Sequence, residues 1–363
     1  MKLTTLLATL AVLATTTSPS LANARGNDQD QAAVYAKRPP ATTPNPTMPR
    51  GGPLHEPNLR LFADRNLPWN KKVMDAPLAK DSKAIIANLQ RVGFGTGSMR
   101  TDFGISVLRD EAKGTGHFRT FKKTDEFYEP DCDFVPVPMP AGGSIENSNN
   151  YQCVDDGDCH LIVHNVKSNK LYEMWRANLR GNLLSGGCLA VWDTQKTYLS
   201  ELRGLGCTSA DAGGFPLAAM LFTADELRSG KIDHAIRFIL PNKTMRRGVY
   251  VRPATHGTKA TKGPSDAIPY GSRLRLKKSF DMRKLPNEAA RVVARALQEY
   301  GMILADGGKI ALTAASDKYG KVKYADVGFG PRSLAAIKPE DFEVVAPPGG
   351  DKVLSIKESC RRV

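Results

Sequence analysis

From residue 130 onward the chain is a succession of short alternating apolar segments, each closed by a turn signal. That pattern restricts the fold more than any other feature. "FVPVPM", "HLIVHNV", "LYEMWRA", "CLAVWD", "HAIRFIL", "GVYVRP" and "SRLRLKK" all read as strands. Ser168-Asn169-Lys170 and Gly186-Gly187 punctuate them. Strands at this density predict a mainly β chain, with a β-sandwich or jelly-roll-like core and a few peripheral α-helices rather than βαβ units. Helices are expected at three places. Residues 80–91 carry Ala84, Ile85, Ile86 and Leu89 on one stripe that continues to Val92. Thr223 and Glu226 form a capping-box pattern before a short helix that Gly230 stops. Asn287 can cap a helix with Val292, Val293, Ala296, Leu297 and Tyr300 as its buried stripe, ended at Gly301.

Residues 1–24 combine Lys2, a short apolar run and the small-x-small triplet Ala22-Asn23-Ala24, the layout of a cleavable signal peptide. No later stretch approaches the roughly 18 uninterrupted apolar residues a membrane helix needs, so no membrane span is expected. The expected product is secreted or periplasmic. Residues 25–56 form a Pro/Thr-rich leader with too little apolar content to fold, and 57–363 are expected to form a single β-rich domain. Export makes the six cysteines disulfide partners. Short separation suggests Cys153–Cys159 and Cys188–Cys207, leaving Cys132 and Cys360 to close the domain ends. The spacing holds no CxxC pair, so no metal site is expected.

The formal net charge is +14, and residues 241–300 hold fourteen Lys/Arg against four Asp/Glu. Such concentration suggests attraction to a polyanion, and the plainer alternative is a solvated basic face. The expected partner is a polysaccharide or cell-wall polymer, with nucleic acid not expected.

Chemistry-bearing residues gather in three segments. In "DDGDCHLIVHNV", Asp158, His160, Ile162 and His164 alternate with Cys159, Leu161 and Val163. If "LYEMWRA" pairs back as a hairpin, Glu173 and Trp175 join Asp158, His160 and His164 on one surface. Paired carboxylates with a flat aromatic suit a glycan site: one acid protonates the leaving oxygen, a second stabilises or attacks, and the ring stacks on sugar. In "GCTSADAGGFPL", Asp211 sits between Ser209 and glycines that let backbone approach a ligand. Asp211 is read as a base or as the orienter of a histidine, against a plain loop cap. The third segment supplies His234, Arg237, Tyr250, Arg252 and His256. Tyr, His and Arg together are what a polysaccharide lyase uses, with Arg neutralising a uronate. Arg273, Arg275 and Lys277 alternate along one strand and are read as a cationic rail beside them. The alternative for each cation is an exposed strand face.

"GFGTG" (93–97) lacks the strand and helix of a dinucleotide site. Asp155, Asp156 and Asp158 resemble part of a calcium loop without its spacing or terminal glutamate. No cofactor is therefore expected, with a structural calcium ion at that turn as the alternative.

Read together, "NLPWNKKVMDAPL", "DGDCHLIVHNVKSNKLYEMWRA", "TSADAGGFPL", "DELRSGKIDHAIRF", "RLRLKKSFD" and "YGMILADGG" resemble a widespread group of secreted bacterial proteins. The likeness covers roughly residues 60–345. It implies one architectural unit and carries no activity with it. Cys159 departs from the group's pattern and suggests a disulfide added to a common hairpin. The residues themselves lead to a secreted glycan-directed protein, a hydrolase or lyase on an extracellular polysaccharide, anionic polymers among the candidates; the alternative is a non-catalytic cell-wall or glycan binder.

Overall fold

The computed structural model describes residues 54–112, 114–154, 157–356 and 359–363. The expected signal peptide, nearly all of the expected leader, and Asp155 and Asp156 of the calcium-like turn lie outside the described residues. Those described belong to one unit, Asn45–Val363, and it is mainly β.

Two sheets position the site. Strands β1 (Thr101–Ile105), β2 (Val107–Asp110), β3 (Leu161–Asn165), β4 (Lys170–Trp175), β5 (Cys188–Asp193), β6 (Ile236–Leu240), β7 (Arg273–Leu276), β8 (Met302–Gly307), β9 (Leu312–Ala315) and β10 (Phe342–Val345) make them up. The first sheet has the order β1-β9-β6-β8-β7-β10 and the second β5-β4-β3-β2. Pairs β1/β9, β6/β8 and β2/β3 run parallel. These parallel pairs join strands distant in sequence, a pairing not expected of an antiparallel sandwich or jelly roll.

The hairpin β3/β4 pairs Ile162 with Glu173 and His164 with Leu171, and Asn169 (φ 52°) makes its turn. Both faces of this sheet are covered. Leu161, Val163, Tyr172 and Met174 enter a smaller apolar cluster with Phe121, Val137 and Met139. Ile162, Leu171, Ala190 and Trp192 enter the main cluster together with Ile236, Phe238, Leu274 and Leu304 of the first sheet. The polar-parity face of the hairpin therefore turns into the main core, and only its end reaches solvent.

The helices form where the pattern predicts them: α1 (Ser82–Val92), α2 (Ala224–Ser229) and α3 (Glu288–Glu299). Thr223 and Glu226 complete their reciprocal capping box, and Gly230 ends α2 in the left-handed region at φ 81°. Asn287 accepts the Ala290 amide at 3.0 Å to cap α3.

Three disulfides mark an oxidising compartment. Cys153–Cys159 pairs as expected, with Cα atoms 5.5 Å apart. The other two couples exchange partners, giving Cys132–Cys188 at 5.3 Å and Cys207–Cys360 at 4.4 Å. Nearness in sequence misled here: β5 delivers Cys188 to the loop holding Cys132, while the C-terminal strand Arg361–Arg362 pairs with Gly204–Leu205 and brings Cys360 to Cys207. Among the described residues no helix is long and apolar enough to cross a membrane.

Candidate active site

A cleft of about 500 Å³ opens where the ends of β4 and β8 meet the 206–217 loop. Asp158, Trp175, Asp306, His256 and Asn242 line it, together with Tyr128, Asp131, Thr208 and Lys259. The rings of Tyr128 and Trp175 lie 6.1 Å apart on its wall. Trp175 donates its indole N–H to Asp158 at 3.0 Å, which fixes the carboxylate beside the ring.

Asp306 comes from the end of β8. The β6/β8 register slips by one residue between Phe238 and Ile239, so Asp306 rather than Ala305 lies beside Ile239. Side chains alternate faces, and this slip returns Asp306 to the face that carries Arg237. Arg237 is buried and donates to Asp306 at 3.1 Å, to Asp211 at 3.0 Å and to Thr313 at 2.9 Å. Asp306 keeps 21% of its side chain exposed, at the cleft floor. Desolvation in that enclosure, and then the neighbouring Asp211 charge, push its pKa up to about 8 against the pull of Arg237. It holds its proton at neutral pH.

Asp158 goes the other way. Burial works against its charge, but the His160 cation, the Trp175 hydrogen bond and Arg237 outweigh burial and hold it below the usual carboxylate range. One cleft therefore carries a protonated and an ionised carboxyl, the division of labour that acid–base chemistry requires. His256 donates Nδ1–H to the Ala212 carbonyl at 2.9 Å, and burial lowers its pKa, so it stays neutral with Nε2 as acceptor.

Of the residues singled out in sequence, Asp158, Trp175 and His256 line the cleft, while Asp211 and Arg237 stand directly behind Asp306. His160 is 2% exposed and lies beneath Asp158. Glu173 shares their parity but not their surface. It is fully buried, accepting the amides of Leu217 at 3.0 Å and Ala218 at 2.7 Å and the Trp192 indole at 3.0 Å. Burial raises its pKa to about 7 while those donors pull it back. It ties the sheet to the loop below and does not reach the cleft, because the face it shares packs on the first sheet.

The structure places the remaining residues away from the cleft. His234 is wholly buried, with Nδ1 on the Ala235 carbonyl at 2.9 Å and Nε2 3.3 Å from the Glu226 carboxylate. Tyr250 is 5% exposed in a short strand paired to Leu354. Arg252 donates to the Ser200 carbonyl at 2.7 Å, away from the cleft lining. Arg273 is spent on the carbonyls of Tyr300, Pro68 and Lys71 at 2.6, 2.9 and 2.8 Å. Arg275 binds Glu343 at 2.6 Å and the carbonyls of Val73, Met74 and Ala76. Both arginines are under 10% exposed, so of the expected rail only Lys277 reaches solvent; the alternation places them beneath the 67–76 segment, whose carbonyls need donors. The glycines of the 206–217 loop admit protein rather than ligand: a Cβ on Gly214 would stand 2.0 Å from Thr255 Oγ1. Ser209 donates to the Phe215 carbonyl at 2.6 Å and accepts the Asp211 amide at 3.0 Å, a local cap.

Sequence reasoning missed Asp306, Tyr128, Asp131, Asn242 and Glu146. Only Asp306 left a signal, a lone acid ending the apolar run "MILAD" before two glycines. Among the described residues no group of three or more metal-ligating side chains gathers. Comparison with protein-family models, curated proteins and solved structures finds no match to this chain.

Proposed function

We propose that the protein is a secreted glycan hydrolase whose reaction takes place between Asp158 and Asp306. The observation that carries this reading is the pair of carboxyl groups in one aromatic-walled cleft, Asp306 enclosed beside the Asp211 carboxyl and Asp158 beside the Trp175 indole N–H, surroundings that push the first pKa up and the second down. Asp306 donates its proton to the glycosidic oxygen as the bond to the anomeric carbon breaks. Asp158 stabilises the developing oxocarbenium charge, and attacks it or draws a proton from the incoming water. Trp175 and Tyr128 offer ring faces to the apolar side of sugar rings. Arg237 and Asp211 hold Asp306 in place from behind.

The charges favour a neutral or amino-bearing polymer over an acidic one. Glu129, Asp131 and Asp158 stand at the cleft against Lys259, and the arginines read as an anion rail are consumed inside the fold. A lyase would need a cation available to a uronate, whereas Arg237 is buried and already engaged by the Asp211 carboxylate and the Asp306 carboxyl.

The test is incubation with neutral, amino-bearing and acidic polysaccharides, following reducing ends and unsaturated-uronate absorbance alongside pull-down. New reducing ends from a neutral or amino polymer, lost in Asp306→Asn, are expected. Unsaturated-uronate absorbance would replace hydrolysis by elimination. Pull-down without new ends would leave a binding protein.

A further inference from the structure

Beneath the cleft, His160 has an acceptor at each ring nitrogen. Nδ1 lies 2.7 Å from Glu146 Oε2, and Nε2 lies 3.2 Å from the Ala210 carbonyl. A carboxylate and a carbonyl accept only, so each nitrogen must carry a proton and the ring is an imidazolium. Glu146 is clamped on it from both sides: its amide donates to the His160 carbonyl at 2.9 Å, and its Oε2 also accepts the His160 amide at 3.2 Å. Ala210 immediately precedes Asp211, the partner of Arg237, and Asp158 lies two residues before His160.

We infer that His160 is a positioning residue, a buried cation that holds the Ala210–Asp211 turn against the segment just ahead of β3 and places a positive charge two residues from Asp158. This rests on reading the cleft as a two-carboxylate site. The charged groups that face it are Glu146 from the preceding loop, Asp158 from its own segment, Arg237 from β6 and Glu173 from β4, with Asp102 of β1 acting on Glu146. Burial opposes the cation, but Glu146 and then Asp158 more than offset it and raise its pKa to about 9. Burial likewise works against charge on Glu146, and the imidazolium holds it ionised. The ring touches neither cleft nor sugar, so its influence reaches the chemistry only through Asp158 and the turn.

The experiment is NMR on the full chain with ¹⁵N-labelled histidine and ¹³C-labelled aspartate carboxyls. At pH 7 both His160 ring nitrogens are expected to be protonated; a single protonated nitrogen would overturn the assignment. In His160→Gln, Asp158 is expected to bind its proton about tenfold more tightly, a shift of about one pH unit. An unchanged Asp158 titration would also overturn it. Should His160→Gln fail to fold, Glu146→Gln keeps an acceptor and removes the charge. His160 must then lose its second proton at lower pH, and a His160 titration left unmoved would refute the role. Neither resonance needs a glycan, so a failed polysaccharide panel leaves this result readable, and the converse holds.

Discussion

Asparagine at position 306 is expected to lower glycan hydrolysis by roughly 10²–10⁴-fold, the usual contribution of a positioned general acid. Asn retains an oxygen to accept from Arg237, which donates to Asp306 at 3.1 Å, so the buried cluster keeps its hydrogen bond and the fold should persist. What is lost is the proton. A substrate whose leaving group is acidic needs none, so an aryl glycoside with an electron-poor ring should recover most of the rate in Asp306→Asn. Asp158→Asn should fall by a comparable factor and recover nothing, since its charge is required whatever leaves. Steady-state rates on the natural polymer and the aryl glycoside separate the two roles. Equal recovery in both variants would remove the assignment of acid and base.

The second large effect is on stability. Between pH 5 and pH 9 the unfolding midpoint should fall, on the order of 10 °C, where most domains change little. The sign follows from two buried groups. His160 rises from 6.5 to about 9, so its stabilisation is complete below pH 6.5 and lost as pH climbs through 9. Glu173 rises from 4.5 to about 7, so the fold's preference for its neutral form begins to cost stability above pH 4.5, and the cost is complete above 7. Each is worth about 3 kcal/mol at 1.36 kcal/mol per pH unit. The raised Asp306 runs in the same direction. His256 alone runs the other way among these groups, since its depressed value favours the fold above its ordinary pKa. Thermal unfolding followed by circular dichroism at pH 5, 7 and 9 gives the slope, and a midpoint that rises with pH would contradict the buried charge states.

How much of this could be read from residue order follows from which contacts are local. The capped helix ends were legible because Thr223–Glu226 and Asn287–Ala290 interact within one turn. The β3/β4 hairpin and its face were legible because parity and a short turn define them. Parity does not say what covers a face. Glu173 and Arg273 therefore look like surface groups in sequence, while the layer that buries each comes from residues 217–218 and 68–71. Asp306 escaped for a related reason: a register slip between strands more than sixty residues apart returns it to the Arg237 face, and no local pattern records that slip. The basic excess of 241–300 is real in composition, but two of its arginines serve as buried donors.

The most direct measurement is the pH dependence of kcat/KM on whichever polymer yields reducing ends. A bell is expected, with the descending limb near 8 where Asp306 gives up its proton. That limb should vanish from the residual activity of Asp306→Asn. A rate that holds level through pH 8, or a limb that survives the substitution, would show that Asp306 is not the acid and that the cleft works by other chemistry.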